Sequence, residues 1–358
     1  MNDTIATQSP SLRRFRLPGL ERASVVYLFA VIIVLFSLWT PETFLTRATF
    51  KLVLADQVIV GILALAVIIP LSAGAFDLSC GANLAFSLVI ISWLQRNTGL
   101  NGFMSCAIGV LASGAIGFVN GLVSVYFRVN SFIATLGSSQ VLAAAALYIS
   151  GNKQMVGVFS KRFLSFGRGQ VLGIPVVVFY LLGLALLVWY VLEWTPLGRK
   201  LRATGANVEA ARLAGVRTDR VMWGSLVASG LISGLAGAVF AAKVGTFSNG
   251  FGTPLLFPAF AAVFFGATQF QRRANAWGTI IAVYALAFGE KGLQLTFQSG
   301  VTWIEPLFNG LALLIAVILA SRQGGFGIRR RPVATHTIGP AQAGQEPHLQ
   351  QQHTREKS

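Results

Sequence analysis

The sequence predicts an all-α bundle of about ten membrane-spanning helices, one of them broken, with both termini in the cytoplasm. Three observations predict it. Hydrophobic residues fill 54% of the 358 positions and charged residues only 11%, against roughly 25% charged in soluble domains. The apolar residues fall in continuous runs of about 20, the length that crosses a hydrocarbon core of roughly 30 Å, without the alternation of an outer-membrane barrel. The cations gather between the runs: with the amino terminus inside, nineteen of the 28 Lys and Arg fall on the inner side, eight on the outer, and Lys291 within a run. That asymmetry is the orientation signal of a multispanning protein, and it accounts for the net charge of +16 without nucleic acid as a partner.

Residues 1–22 form a polar segment, with Arg13, Arg14, Arg16 and Arg22 ahead of an uncharged run from Ala23 to Thr40. That run reads as a retained first span, because Trp39 and Pro41 do not suit a signal-peptide cleavage site. Further spans are expected near 52–70, 77–94, 103–127, 132–150, 171–192, 221–242, 255–270, 275–296 and 302–320, so the transmembrane domain covers 23–322. Residues 151–173 read as an outer loop, more basic than the orientation rule favours through Lys153, Lys161, Arg162 and Arg168. After Arg322 the composition turns to Gly, Gln, Pro, Thr and charge, so 323–358 is expected to be a disordered cytoplasmic tail. Arg329, Arg330 and Arg331 suit either anionic lipid headgroups or topology anchoring.

Several chemistries are excluded. Cys80 and Cys106 lie in apolar stretches without C-x-x-C spacing and read as packing residues, and His336, His348 and His353 all fall in the tail. No metal site or His-based catalytic triad is therefore expected within the membrane part. There is no G-x-x-x-x-G-K-[ST] phosphate cradle either, so the chain is expected to hold no nucleotide or other cofactor. A membrane enzyme is disfavoured, since no paired carboxylates or metal-ligand cluster stand at a span end.

The long internal segment between the sixth and seventh spans, 194–220, carries the most specific pattern. Asn207 is a good N-cap, Glu209 falls in the first turn and Gly215 is a natural stop, which predicts a short helix over Val208–Ala214. At about 1.5 Å per residue it would span roughly 10 Å, too short to be stable alone and long enough to fill a cleft on a partner. Glu209-Ala210-Ala211 followed by Gly215 matches E-A-A-x-x-x-G. Other stretches are Ala73-Gly74-Ala75-Phe76-Asp77-Leu78-Ser79-Cys80-Gly81, Gly117-Phe118-Val119-Asn120-Gly121, Phe132-Ile133-Ala134-Thr135-Leu136-Gly137 and Thr195 to Gly215.

Taken together these resemble the permease subunits of ATP-binding-cassette importers, in the branch that includes ribose and xylose systems. They are similar to its G-G-I-D-L-S-V-G, G-x-x-N-G, F-I-x-T-L-G and T-x-x-G-R-x-x-x-A-x-G-x-N-x-E-A-A-x-x-x-G segments, over about residues 25–322. The chain departs from the family at Leu255 to Phe260, which lacks an acidic residue, and after Gly266-Ala267-Thr268, where a second glycine pair is missing. The resemblance implies a bacterial inner-membrane permease that carries a monosaccharide. It implies a separate cassette ATPase holding ATP and magnesium, a periplasmic solute-binding protein, and a second permease subunit, identical or similar. Asn207, Glu209, Ala210, Ala211 and Gly215, with Gly198 and Arg199 ahead of them, would form the ATPase-coupling surface.

Asp77 follows Pro70 and Gly74, a pattern that breaks one helix and restarts another with Asp77 as cap to the amides of Ser79 and Cys80. A carboxyl group at that depth also suits a transport pathway, and the two roles are compatible. Ser79, Asn83, Asn120, Thr135, Gln140 and Gln294 are the further pathway candidates, with Phe76, Phe86 and Phe132 as aromatic faces for a neutral polyhydroxylated ligand. Interhelical hydrogen bonding competes with that role at each of them, as it does at Asp56 and Glu290. Lys291 can extend outward from its span. Gly117/Gly121 and Gly230/Gly234 offer close helix contact, within one subunit or between two. The second functional reading is an ion-coupled secondary transporter or facilitator using Asp77, Asp56 or Glu290.

Overall fold

The computed structural model describes residues 24–267, 274–297 and 302–322. The amino-terminal arginines, Arg272 and Arg273, and the tail 323–358 lie outside the described residues. The chain opens with α1 (Ser24–Trp39), the single turn α2 (Pro41–Phe44), α3 (Arg47–Asp56) and α4 (Val58–Ser72). There follow α5 (Cys80–Thr98), α6 (Gly102–Val125), α7 (Ser131–Ser150), β1 (Met155–Val156), α8 (Lys161–Arg168), β2 (Gln170–Val171) and β3 (Ile174–Pro175). The remainder is α9 (Val176–Trp194), α10 (Pro196–Ala206), α11 (Val208–Leu213), α12 (Thr218–Val244), β4 (Thr246–Phe247), a 3-10 turn at Thr253–Leu255, α13 (Leu256–Ala267), α14 (Ala276–Thr296) and α15 (Ile304–Arg322).

The architecture is all-α and polytopic. A helix lies at each range where the sequence places a span. Among the described residues, six helical runs are long and apolar enough to cross a membrane: Arg47–Ser72, Gly102–Val125, Ser131–Ser150, Val176–Trp194, Thr218–Val244 and Ile304–Ser321. Val26–Trp39 and Thr253–Ala267 are apolar but shorter. Asparagine side chains start several helices. Asn101 accepts from Phe103 N at 3.1 Å, Asn130 from Phe132 N at 2.9 Å and Asn275 from Trp277 N at 2.9 Å, each satisfying an amide that the first turn leaves free.

Two boundaries differ from expectation. The third span begins at Cys80 rather than residue 77, because 73–79 is held open by contacts described below. The sixth begins at Val176 rather than 171, because β2 and β3 pair as a hairpin with Val171 opposite Ile174. The segment read as an outer loop carries structure of its own. β1 pairs with β4, Met155 opposite Phe247, and Phe163 of α8 is buried. Arg168 donates from Nε to the carbonyl of Lys243 at 2.9 Å and from Nη2 to that of Val244 at 2.6 Å. These carbonyls belong to the last turn of α12, which has no intrahelical donors left for them. Arg168 is thus placed by helix-end chemistry, which explains one cation that the orientation rule disfavours.

The interior is organised around α4 and α12. Ile59, Ile62, Leu63, Leu65 and Ile68 of α4 are fully buried. Helix α12 packs against α4, α5, α6 and α8. Its contact with α6 is backbone on backbone: a Cβ on Gly117 would stand 3.0 Å from Val227 Cα and 3.2 Å from Gly230 Cα, and one on Gly230 would stand 2.6 Å from the carbonyl oxygen of Ser113. Gly121 lies under the indole of Trp223, whose Nε1 donates to the carbonyl of Phe118 at 3.2 Å. Of the two glycine pairs left open by the sequence, Gly117 and Gly230 therefore meet each other within one chain, while Gly234 packs against Ser113 and Val110 of α6. Cys80 is buried and Cys106 partly so, both as free thiols.

Candidate functional site

Two features stand out: a buried polar node where the chain breaks between α4 and α5, and a projecting helix between α10 and α12. The break begins at the end of α4, where Gly74 takes a left-handed φ of +80° that a side chain would oppose. Backbone groups released from helical pairing inside an apolar protein need other partners, and α7 supplies them. Phe76 N donates to Ser131 Oγ at 3.0 Å and Leu78 N to Thr135 Oγ1 at 3.0 Å. Thr135 in turn donates to the carbonyl of Ser131 at 2.7 Å. Phe76 and Phe132 meet edge to face with centroids 6.3 Å apart.

Asp77 is the centre of the node and is 1% exposed. Its Oδ1 accepts from Ser79 N at 2.9 Å and Ser79 Oγ at 2.6 Å, and its Oδ2 accepts from Ser229 Oγ on α12 at 2.6 Å. Asn120 of α6 donates from Nδ2 to Ser79 Oγ at 2.9 Å. Asp77 thus meets the amide of Ser79, as a capping residue would, while the residue flanking α5 is Ser79 itself. One turn further along α5, Asn83 donates to the carbonyl of Ser113 at 3.1 Å. Its Oδ1 is buried without a hydrogen-bond partner, as is Ser233 Oγ on α12.

Of the pathway candidates, the structure brings Asp77, Ser79, Asn120 and Thr135 into one network, with Asn83 beside it. Gln140 is exposed on α7. Gln294 donates to Glu290 on its own helix α14 at 2.9 Å. Asp56 is half-exposed and paired with Lys243 at 2.7 Å, so it is not an embedded carboxyl group. Phe86 joins a separate cluster around Leu88 and Phe247. Sequence reasoning missed Ser131 and Ser229, which contact the node directly. The signal that could have found Ser229 is a four-residue repeat, Ser225, Ser229 and Ser233 on α12 against Ser79 at the start of α5 and Asn83 and Ser87 on it, all buried.

The projecting helix is α11. Asn207 Oδ1 accepts from Ala210 N at 3.1 Å, and Gly215 leaves the helix at φ +81°. It ends at Leu213, one residue before the expected Ala214. Arg212 lies between Asp219 at 3.1 Å and Glu209 at 3.6 Å, which braces α11 against the start of α12. Leu213 is 90% exposed and the Glu209 side chain 79%. The alanine pair is divided: Ala210 faces outward, whereas Ala211 is buried against the chain. Gly198 belongs to the corner between α9 and α10, where a Cβ would strike the carbonyls of Val191 and Leu192, and Arg199 is exposed. Helix α10 is itself firmly seated. Thr195 accepts from Gly198 N at 3.3 Å, Leu201 and Thr204 are buried, and Arg202 bonds the carbonyl of Leu192 and pairs with Glu193 at 3.1 Å.

Comparison with known proteins adds an independent line. A family model described as "Branched-chain amino acid transport system / permease component" matches residues 50–320. The chain is 30% identical over 300 residues to the L-arabinose ABC transporter permease of Azospirillum brasilense, covering 84% of this chain and 87% of that one. It is 28% identical to the D-allose transport system permease of Escherichia coli K12, covering 82% and 85%. It is 29% identical to the ribose import permease of Bacillus subtilis 168, covering 81% and 89%.

Proposed function

The chain belongs to the family of branched-chain amino acid transport system permease components, and from that premise we propose that it is the membrane-spanning subunit of a bacterial ATP-driven importer for a monosaccharide. The relatives named for arabinose, allose and ribose support a sugar as cargo. A separate cassette ATPase, which holds ATP and magnesium, docks on α11 from the cytoplasm. A periplasmic binding protein delivers the sugar, and a second permease subunit, identical or similar, completes the membrane part. Ten spans with both termini cytoplasmic place α11 on the ATPase side of the inner membrane.

The observation that carries this reading is the exposure of α11. Leu213 is 90% exposed and the Glu209 side chain 79%, so both are available to a partner, and both ends of the helix are fixed by a cap and a left-handed glycine. A braced, apolar-tipped peg of two turns fits a cleft on a partner. In the proposed cycle the ATPase pair closes, α11 moves with it, and the helices around the Asp77 node reorient to open the path to the other side.

The carboxyl groups that an ion-coupled carrier would use are otherwise engaged: Asp56 with Lys243, Asp77 with two serines, Glu290 with Gln294. That supports the ATP-driven reading over the ion-coupled one. The test is reconstitution in liposomes with and without the cassette ATPase. Uptake of a pentose or hexose that requires ATP and the ATPase is the expected result; accumulation by the chain alone under an ion gradient overturns it.

A further inference from the structure

The helix that carries α11 touches the break beneath Asp77, and it does so through two glycines. Gly205 is the penultimate residue of α10, separated from α11 only by Ala206 and the capping Asn207. A methyl group on Gly205 would collide with the carbonyl oxygen of Ser72 and lie 3.1 Å from Gly74 N. From the opposite side, a Cβ on Gly74 would lie 3.3 Å from Gly205 Cα. No side chain stands between the two backbones to absorb a displacement, and close-packed interiors pass strain on rather than dissolve it. On the far side of this contact the break hangs from α7 through Ser131 and Thr135, from α12 through Asp77 and Ser229, and from α6 through Ser79 and Asn120.

We propose that the Gly205–Gly74 contact is the joint through which movement of α11 reaches the membrane interior. Gly205 is then a positioning residue for transport: it touches no cargo, and it sets the attitude of the broken helix, which Asp77 relays to α12 and α6. The joint rests on the reading of α11 as the ATPase-docking helix.

The test uses the assembled complex with its ATPase in proteoliposomes, comparing Gly205→Ala with Gly224→Ala on α12, where a Cβ meets nothing within 4 Å. Gly205→Ala is expected to co-purify with the ATPase and hydrolyse ATP within about twofold of the parent, while uptake per ATP falls by about tenfold or more. Gly224→Ala is expected to match the parent in both. Uptake per ATP within about twofold of the parent in Gly205→Ala overturns the joint. Hydrogen exchange on the unsubstituted complex gives a readout that needs no variant. Altered exchange at residues 74–78 when ATP binds, alongside altered exchange at 208–215, supports the joint; a response confined to 208–215 overturns it. Failure of the parent chain to bind the ATPase at all sinks the docking reading, and the joint with it.

Discussion

Ser229 donates a hydrogen bond of 2.6 Å to Asp77, joining the middle of α12 to a break in the chain 152 residues earlier. Together with Ser79 and Asn120 it makes the node a four-residue network spanning α6, α12 and the stretch between α4 and α5. A shift of Asp77 either strains this bond to Ser229 or carries α12 with it.

Loss of Asp77 should therefore be worse than loss of its partner. Ser229→Ala removes one donor, and interhelical bonds of this kind contribute about 1 kcal/mol. Asp77→Ala leaves the hydroxyls of Ser79 and Ser229 and the amide of Ser79 without their acceptor, at about 1–3 kcal/mol each. Thermal unfolding of the purified chain should rank parent, Ser229→Ala, Asp77→Ala, and uptake should fall in the same order. Equal stability and uptake in Asp77→Ala would remove the node from the mechanism.

On α11 the opposite separation is expected. Glu209 is largely exposed and its pairing with Arg212 at 3.6 Å contributes little to stability. Glu209→Lys and Leu213→Asp should leave thermal stability and membrane insertion unchanged while abolishing cargo-stimulated ATP hydrolysis by the complex. Gly215→Asp should act likewise, with an added cost of about 1 kcal/mol for a side chain at positive φ. Normal transport in all three would dismiss α11 as the coupling element.

The seam between α6 and α12 should not tolerate bulk. Gly117→Leu forces a side chain into the backbone of Val227 and Gly230, an overpacking cost of about 3 kcal/mol or more. Gly183→Leu on α9, where a Cβ meets nothing within 4 Å, should be neutral. Yield of folded protein in detergent distinguishes the two; similar yields would refute the close contact.

At the β1–α8 end, Gly167→Ala should destabilise more than Arg168→Ala. The methyl group meets the backbone of Ala242 and Lys243, about 1–3 kcal/mol of overpacking, whereas the arginine loses exposed hydrogen bonds of about 1 kcal/mol. Limited proteolysis within 155–171 should accelerate in that order, and a faster Arg168→Ala would reverse the assignment.

The helical layout was legible because apolar runs of span length admit few alternatives, and α11 because Asn207, Glu209 and Gly215 are local signals read over nine residues. Asp77 was legible for a related reason, as a rare carboxyl group in apolar sequence. Its surroundings were less so. Ser131, Ser229 and Gly205 are small residues in runs full of small residues, and what distinguishes them is which distant backbone they meet. Gln140 and Gln294 show the converse: polar residues in apolar runs attract notice wherever they point, and only the rotation of α7 and α14 shows that neither joins the node. Within residues 151–173 the local structure was not legible, because the cations there carry a topology signal whatever they touch, and only the fold shows Arg168 on the bare carbonyls of α12.

The most direct test places a cysteine at Leu213 in the assembled complex. With a short bifunctional cross-linker, Leu213→Cys should join to the cassette ATPase in high yield, and an impermeant maleimide added outside intact cells should fail to label it. Labelling from outside, or no adduct in a complex that still transports, would contradict the proposal that α11 takes up the ATPase's motion.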